Sequence, residues 1–301
     1  MEYIIDVRNI YKTFLGKKVV NNLSLQMEKG RIYGFLGPNG SGKTTTIRMI
    51  CGLLTPDSGS GTCLGYDITK DAEKIKPKIG YMTQKFSYWE DLTIAENLEF
   101  VANIYDLQNH KEKIQTVIDK LGLQDRKNQL AGNLSGGWKQ LLALAACTLH
   151  KPEILLLDEP TAGVDPKARR AFWDEIHKLA DDGITVLVST HYMDEAERCH
   201  KIYYISSGDL IVSGSVESVI AQSGLKTLIA TGKKLDLLSA ELQKNLDVSA
   251  VVFGTKLHVS STKPETLSKV TSNYSSYDWQ VSEPSLEDAF IHYMNLSKRG
   301  P

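Results

Sequence analysis

Short apolar runs bounded by turn formers alternate with longer stretches of helical periodicity over about two thirds of the chain. That alternation predicts an α/β sheet. The strand candidates are "RIYGFLG", "KIGYMTQ", "ILLLDEP", "ITVLVST" and "KIYYISSGDLIVSG". Four of these five end in residues able to do chemistry, and ligands in such sheets gather at the carboxyl ends of strands. The opening "MEYIIDVRNIYK" alternates apolar with polar residues and carries acids, which suits a first strand better than a secretory signal. Helix starts are read from caps. Thr93 with Glu96 forms a capping box for "IAENLEFVANIY". Asp165 before Pro166 supplies an N-cap and an N1 proline for "KARRAFWDEIHKLADD", which Gly183 closes. Ser135 is placed to cap "GWKQLLALAACTLH", whose nearly continuous apolar residues predict burial on most sides. After about Ser215 small strand-like pieces ("KTLIAT", "VSAVVFG", "TKLHVSS", "DWQVSE") alternate with the polar helical segments "KKLDLLSAELQKN" and "KPETLSKVTSNY". The chain then ends in the amphipathic "SLEDAFIHYMNL". Residues 221–301 are therefore expected to form a small α+β appendage to a main domain spanning residues 1–220.

Composition narrows the function. Lysine and arginine total 35 against 36 acidic residues, a formal net charge of -1, so no global field attracts nucleic acid or an anionic membrane, and no nucleic-acid partner is expected. Cys51, Cys63, Cys147 and Cys199 are widely spaced, without a CxxC pair or a histidine grouping suited to zinc. A reduced, cytoplasmic setting fits them best. No apolar run approaches the roughly 20 residues that cross a bilayer, so the chain is expected to be soluble while remaining free to sit on a membrane protein.

"GPNGSGKT", Gly37 to Thr44, satisfies G-x-x-x-x-G-K-[ST], with the apolar strand "IYGFL" before it and the helical "TTTIRMICGLL" after it. Its glycines let backbone amides turn inward on phosphate. Lys43 reaches the β- and γ-phosphates, and the Thr44 hydroxyl can ligand magnesium. The absence of an N-K-x-D stretch lowers the GTPase reading. A hydrolase also needs an acid for the metal and a base for water. Asp158 at the end of "ILLLD" suits magnesium, and Glu159 beside it suits the base. Adjacent acids ending a buried strand are costly without a task. His191 closes "ITVLVSTH" at the same expected sheet edge, suited to a γ-phosphate or to water. Gln84 ends "KIGYMTQ" by the same logic, with magnesium or water in reach, or else as a surface glutamine.

These residues, in this order, resemble the ATP-binding cassette ATPases, the nucleotide-binding subunits of ABC transporters, over roughly Tyr3 to Ser215. "GPNGSGKT" is similar to the Walker A loop, Gln84 to the Q-loop glutamine, "LSGGWKQ" to the signature, "ILLLDEP" to Walker B, "AGVD" to the D-loop and His191 to the switch histidine. The resemblance implies a P-loop NTPase-type α/β fold with a helical subdomain, carrying the small C-terminal α+β extension. It implies ATP and Mg2+ as ligands. Gly37, Pro38, Asn39, Gly40, Ser41, Gly42, Lys43, Thr44, Thr45 and Gln84 would bind ATP, while Thr44, Gln84 and Asp158 would hold the metal and Glu159 and His191 would be catalytic. Phe14 would stack on adenine, with Tyr11 close by offering the same kind of face. It further implies a head-to-tail dimer in which Ser135, Gly136 and Gly137 close on the γ-phosphate of the partner's ATP, with Asp165 as the D-loop aspartate, although its capping position explains it equally well. Trp138 departs from the glutamine most common after LSGG; its ring packs on the partner, packs on a transmembrane subunit or fills space.

The engine itself would transport nothing. In the family, permeation belongs to a separate transmembrane subunit, which implies a position at the cytoplasmic face of the membrane. Phe86, Tyr88 and Trp89 follow Gln84 where such a subunit docks, and ordinary packing beneath the helical subdomain explains them as well. "YMTQKFSYWEDLTIAENLEF", "LSGGWKQ" and "EPSLEDAFIHYM" are together similar to ATPases of ABC-2 type exporters, including those of the daunorubicin-resistance type. A homodimer and a heterodimer of ATPase subunits both fit. The rival reading is a soluble ABC ATPase acting on a ribosome or DNA, against which stand a single cassette and no long coiled-coil insertion.

Overall fold

Alternating burial along the first residues produces a hairpin of two long strands, β1 (Tyr3–Phe14) and β2 (Lys17–Glu28), with Ile5, Val7, Ile10, Leu23, Leu25 and Met27 turned inward. The computed structural model describes residues 3–299. Its elements continue with β3 (Ile32–Leu36), α1 (Lys43–Ile50), β4 (Ser58–Cys63), β5 (Tyr66–Asp67), α2 (Ala72–Ile75), β6 (Ile79–Met82), α3 (Ile94–Ile104), α4 (His110–Lys120) and α5 (Gly136–Thr148). They proceed through β7 (Ile154–Asp158), α6 (Pro166–Asp181), β8 (Thr185–Thr190), α7 (Met193–Ala196), β9 (Lys201–Ser206) and β10 (Asp209–Gly214). By contact density the chain divides after Leu210.

In the first unit an antiparallel sheet of order β2-β1-β4-β5 lies beside a sheet of order β10-β9-β3-β8-β7-β6, whose edge strand β10 runs across the division point. In the second sheet β3 runs parallel to β8 and β9, and β7 parallel to β6 and β8. Every residue of β3, β7 and β8 is buried, as expected of parallel strands covered on both faces. Ile5 and Leu23 of the antiparallel sheet, Ile47 of α1, and Phe35, Leu156 and Leu187 of the parallel sheet share one core. α3 packs on α4 and α5, giving the helical subdomain. The Thr93 capping box and the Asp165 cap are both formed, and Gly183 follows the end of α6 with φ 94°.

One expectation needs correction. "KIYYISSGDLIVSG" is two strands, because Ser207 (φ 52°) and Gly208 (φ 90°) turn the chain through two left-handed residues, the geometry that reverses a strand tightly.

The second unit contains α8 (Val216–Ser223), β11 (Lys226–Thr231), α9 (Leu235–Asn245), β12 (Ser249–Phe253), β13 (Lys256–Ser261), α10 (Pro264–Asn273), β14 (Asp278–Ser282) and α11 (Leu286–Arg299). Its antiparallel sheet has the order β12-β13-β11-β14. Leu228, Ala230, Leu257 and Val259 face Leu238 and Leu242 of α9 and Leu267 and Val270 of α10. Ser285 and Asp288 cap each other at the start of α11, and Asp288 lies 3.3 Å from His258 on β13.

Candidate functional site

The loop between β3 and α1 is built around missing side chains. A Cβ on Gly37 would lie 2.0 Å from the Ile205 carbonyl oxygen, and one on Gly42 would lie 2.4 Å from that of Val19. Both residues have positive φ, 147° and 104°, so β9 and the β2 strand hold the loop from two sides in a form that disfavours any other residue. The first amides of α1 have no intrahelical acceptor. The Lys43 ammonium, almost buried, folds back over the loop and donates to the Gly37 carbonyl at 2.7 Å and the Pro38 carbonyl at 3.2 Å. Burial lowers its pKa, while Glu159 and Asp158 oppose that shift. Ser41 adds a buried hydroxyl oxygen with no partner in the described residues. Unfilled amides, an orphan hydroxyl and a desolvated cation fit a phosphate chain.

Asp158 ends β7 beside this loop. It accepts from the Thr44 hydroxyl at 2.9 and 3.1 Å and from the Ser189 hydroxyl at 2.6 Å. A hydroxyl and a carboxylate so placed fit magnesium, a hard cation that takes few protein oxygens; no cluster of three or more His, Cys, Asp or Glu exists among the described residues. Glu159 follows in the left-handed region, φ 47°, a conformation that costs on the order of 1–3 kcal/mol in a non-glycine residue. Its amide is tied to β8, donating towards the Ser189 carbonyl oxygen at 3.1 Å and the Ser189 hydroxyl at 3.0 Å. Its carboxylate accepts from the Gln84 amide at 2.9 Å and lies 3.6 Å from His191 Nδ1. Lys43, Thr44, Gln84, Asp158, Glu159 and His191 therefore meet at one edge of the parallel sheet. Ser189 belongs with them and escaped the sequence reading. Its signal was a hydroxyl near the end of "VLVST", the register partner of Asp158.

The remaining candidates lie apart. Ser135 occupies the N-cap position of α5, yet its exposed side chain makes no cap hydrogen bond, so capping does not account for it. Gly136 faces open space, its nearest neighbour being the Gly163 carbonyl oxygen at 3.9 Å from a hypothetical Cβ. Gly137 is packed, for a Cβ there would sit 2.6 Å from the Ala168 Cβ of α6. Asp165 accepts from the amides of Lys167 and Ala168, both at 3.0 Å. The Trp138 ring carries the Arg126 guanidinium 4.7 Å from its centroid, a cation-π contact within the chain. Phe14 stands at the hairpin tip, 46% exposed with the Lys12 ammonium 5.6 Å away, whereas Tyr11 is half-buried. In the aromatic loop Tyr88 turns towards the Cys147 thiol at 3.9 Å, Phe86 lies under Lys139, and Trp89 packs on Phe100 at 4.1 Å while remaining 46% exposed. A cleft of about 860 Å³ opens at the opposite, amino ends of β7 and β8, between Glu153, Ile184 and α4, and contains none of this chemistry.

A glycine loop feeding the first turn of a helix, backed by a strand-end aspartate and a neighbouring glutamate, defines a P-loop nucleotide-binding fold. The ABC transporter family matches residues 20–162. The linearmycin resistance ATP-binding protein LnrL of Bacillus subtilis strain 168 is 33% identical over 316 residues, covering 98% of this chain and 100% of LnrL. The probable multidrug ABC transporter ATP-binding protein YbhF of Escherichia coli strain K12 is 42% identical over 224 residues, covering 74% of this chain and 39% of YbhF. The chain thus spans about two fifths of the length of that relative. A solved dimeric structure of the ATP-binding cassette MJ0796 in a post-hydrolysis state, bound to ADP and Pi, superposes with a TM-score of 0.64 at 27% identity, covering 70% of this chain and 98% of that one. This chain belongs to the ABC transporter family.

Proposed function

We propose that this chain is the ATP-binding and ATP-hydrolysing subunit of an ABC-2 type exporter, and that two such subunits close head to tail on two ATP molecules. Lys43 and the first amides of α1 receive the phosphates. Thr44 and Asp158 would hold magnesium, which supplies neutralisation of the charge on the transferred phosphoryl group. Glu159, oriented by Gln84 and His191, accepts the proton of the attacking water. Phe14 is the exposed ring assigned to adenine. Binding draws the subunits together and hydrolysis removes the contacts that hold them, a two-state device able to drive a partner. No helix of the described residues is long and apolar enough to cross a membrane, and permeation is assigned to a separate ABC-2 type permease at whose cytoplasmic face this subunit sits. The name of LnrL, a resistance ATP-binding protein, supports an exporter. The main domain is read as the engine and the C-terminal α+β domain as accessory.

The observation that carries the shared site is the open start of α5: an exposed serine at the cap position that caps nothing, followed by a glycine that none of the described residues requires. Lys43→Ala and Ser135→Arg test it together. Each alone should abolish turnover, the first through its own cradle and the second through its partner's. Mixed, they form pairs with one intact composite site, and hydrolysis should reappear. Failure of the mixture to recover any turnover, with pairing confirmed by cross-linking, would refute the shared site.

A further inference from the structure

Behind His191 lies a carboxylate that the chemistry above does not use. Glu195, on α7, is 1% exposed. One oxygen accepts from the Thr190 hydroxyl at 2.5 Å, and the other from the Thr161 hydroxyl. Thr190 immediately precedes His191 and accepts, through its own hydroxyl oxygen, from the Tyr192 amide at 3.1 Å. Thr161 stands between Glu159 and Asp165, at the start of the turn that leads into α6. Arg169 of α6 completes the cluster. Its Nε is 3.6 Å from Glu195, its Nη1 is 3.7 Å from Asp194, and its guanidinium lies 4.1 Å from the Tyr192 ring centroid. That ring in turn tilts against the His191 ring at 4.2 Å.

Burying a carboxylate is expensive, and an apolar side chain of similar volume often serves stability as well or better. α7 has only four residues and gains little from an acid there. What the acid does provide is a bridge, since it grips two segments that share no other side-chain hydrogen bond among the described residues, the nearest being that of the Glu159 amide to the Ser189 hydroxyl just upstream: the Thr161 turn leading to Asp165, and the Thr190–Tyr192 segment bearing His191. We infer that Glu195 is a positioning residue that makes these two segments move as one, so that the reach of His191 towards Glu159 follows the position of Asp165 and α6. This rests on the proposed role of His191 at the γ-phosphate. Displacement of the Asp165 segment by a partner would thereby be transmitted to His191 of the same subunit.

The test is a double-mutant cycle in the full chain with Mg-ATP. Glu195→Ala should lower kcat by about 10- to 100-fold, the range expected when a catalytic group is misplaced by about 1 Å, with KM and fluorescent-nucleotide affinity within about 2-fold of the parent. Glu195→Gln, which keeps the shape and one acceptor, should restore part of the loss. Against a His191→Ala background, Glu195→Ala should add less than about 2-fold, because the group it positions is gone. Multiplicative losses in the double variant, or full kcat in Glu195→Ala, would overturn the inference. Should Glu195→Ala fail to fold, Thr161→Val removes one hydroxyl at constant shape and must show the same fall in kcat without a change in KM, and the same absence of added effect in the His191→Ala background. A His191→Ala variant with parental turnover would instead remove the role of His191 itself, and the positioning role with it.

Discussion

Gly137→Ala is the sharpest test of how the start of α5 is held. The residue is helical and its φ is not positive, so alanine is conformationally allowed and gains about 0.5–1 kcal/mol of helix propensity. The new methyl group, however, meets the Ala168 Cβ at 2.6 Å, about 1 Å inside the separation at which carbon atoms attract. Overpacking of that kind costs about 1–3 kcal/mol, which exceeds the propensity gain, for a net loss on the order of 1 kcal/mol. In a domain of this size that is a fall of about 2–4 °C in Tm. The strain is relieved only by moving α5 and α6 apart, which carries Ser135 and Gly136 with it, and a displacement near 1 Å costs turnover up to about 100-fold. Adding Ala168→Gly deletes the colliding atom, leaving Val164 at 3.8 Å and the Cα of residue 168 at 3.9 Å, both ordinary contacts. The lost propensity at 168 roughly offsets the gain at 137, so the double variant should melt near the parent and recover hydrolysis. Thermal unfolding by circular dichroism and phosphate release at saturating Mg-ATP measure both effects. A Gly137→Ala protein with parental melting and parental turnover, or a double variant no better than the single, would show that α5 and α6 do not pack as described.

Gly136→Ala meets nothing closer than 3.9 Å and should melt at or slightly above the parent while losing turnover; retained turnover would count against a partner's triphosphate at this position. Glu159→Gln should leave Mg-ATP binding within about 2-fold, lower kcat by about 100- to 10,000-fold and accumulate dimers on size exclusion with ATP, and unchanged kcat would remove Glu159 from the role of base. Lys43→Ala removes charge-assisted hydrogen bonds worth about 1.5–3 kcal/mol, so nucleotide affinity by titration calorimetry should fall roughly 10- to 100-fold, and parental affinity would contradict the cradle. His150, stacked on Tyr105 at 4.1 Å with Nε2 3.2 Å from the Ile79 carbonyl oxygen, has its pKa pushed below the ordinary 6.5 by burial, against a smaller opposing effect of that carbonyl. The unfolded chain then binds the proton more readily, so stability is fully present above pH 6.5 and is lost as pH falls below 6.5 through the lower folded pKa, with His200 contributing in the same direction. Tm should drop between pH 7.5 and 5.5, and His150→Gln should flatten that drop; an unaltered slope would exclude His150 as its source.

The proposed catalytic edge was legible because each of its parts is a local pattern, an apolar run followed by a polar residue. Parallel strands of one sheet end at one edge, so "GFLG", "YMTQ", "LLLDE" and "VSTH" had to converge once the sheet was read correctly. Much of the antiparallel sheet was less legible. The long hairpin is interrupted by left-handed residues at Asn9 and Asn22, both with φ 50°, and the register of β1 with β2 shifts along its length, which breaks the two-residue period that marks a strand. The turn at Ser207 and Gly208 was hidden for the same reason, since its left-handed geometry follows from a pairing that the sequence does not display.

Side-chain roles fixed by distant residues were hidden more deeply. The sequence leaves Trp138 open to a partner, to a transmembrane subunit or to filling space, and in the fold Arg126 lies over its ring. Gly137 looked like a phosphate glycine, and Ala168 supplies a packing reason as well. Glu195 is the strongest case, because nothing in the acidic segment "MDEAER" announces burial. Its environment comes from two hydroxyls and a guanidinium brought in by β8, by the turn after Glu159 and by α6. Residues that do chemistry can be read from their own neighbours in sequence, whereas a residue that couples two chemical segments is defined by where the fold brings those segments together. The two kinds therefore separate by assay: removing the first kind abolishes a step, while removing the second leaves every group present and alters how one responds to another.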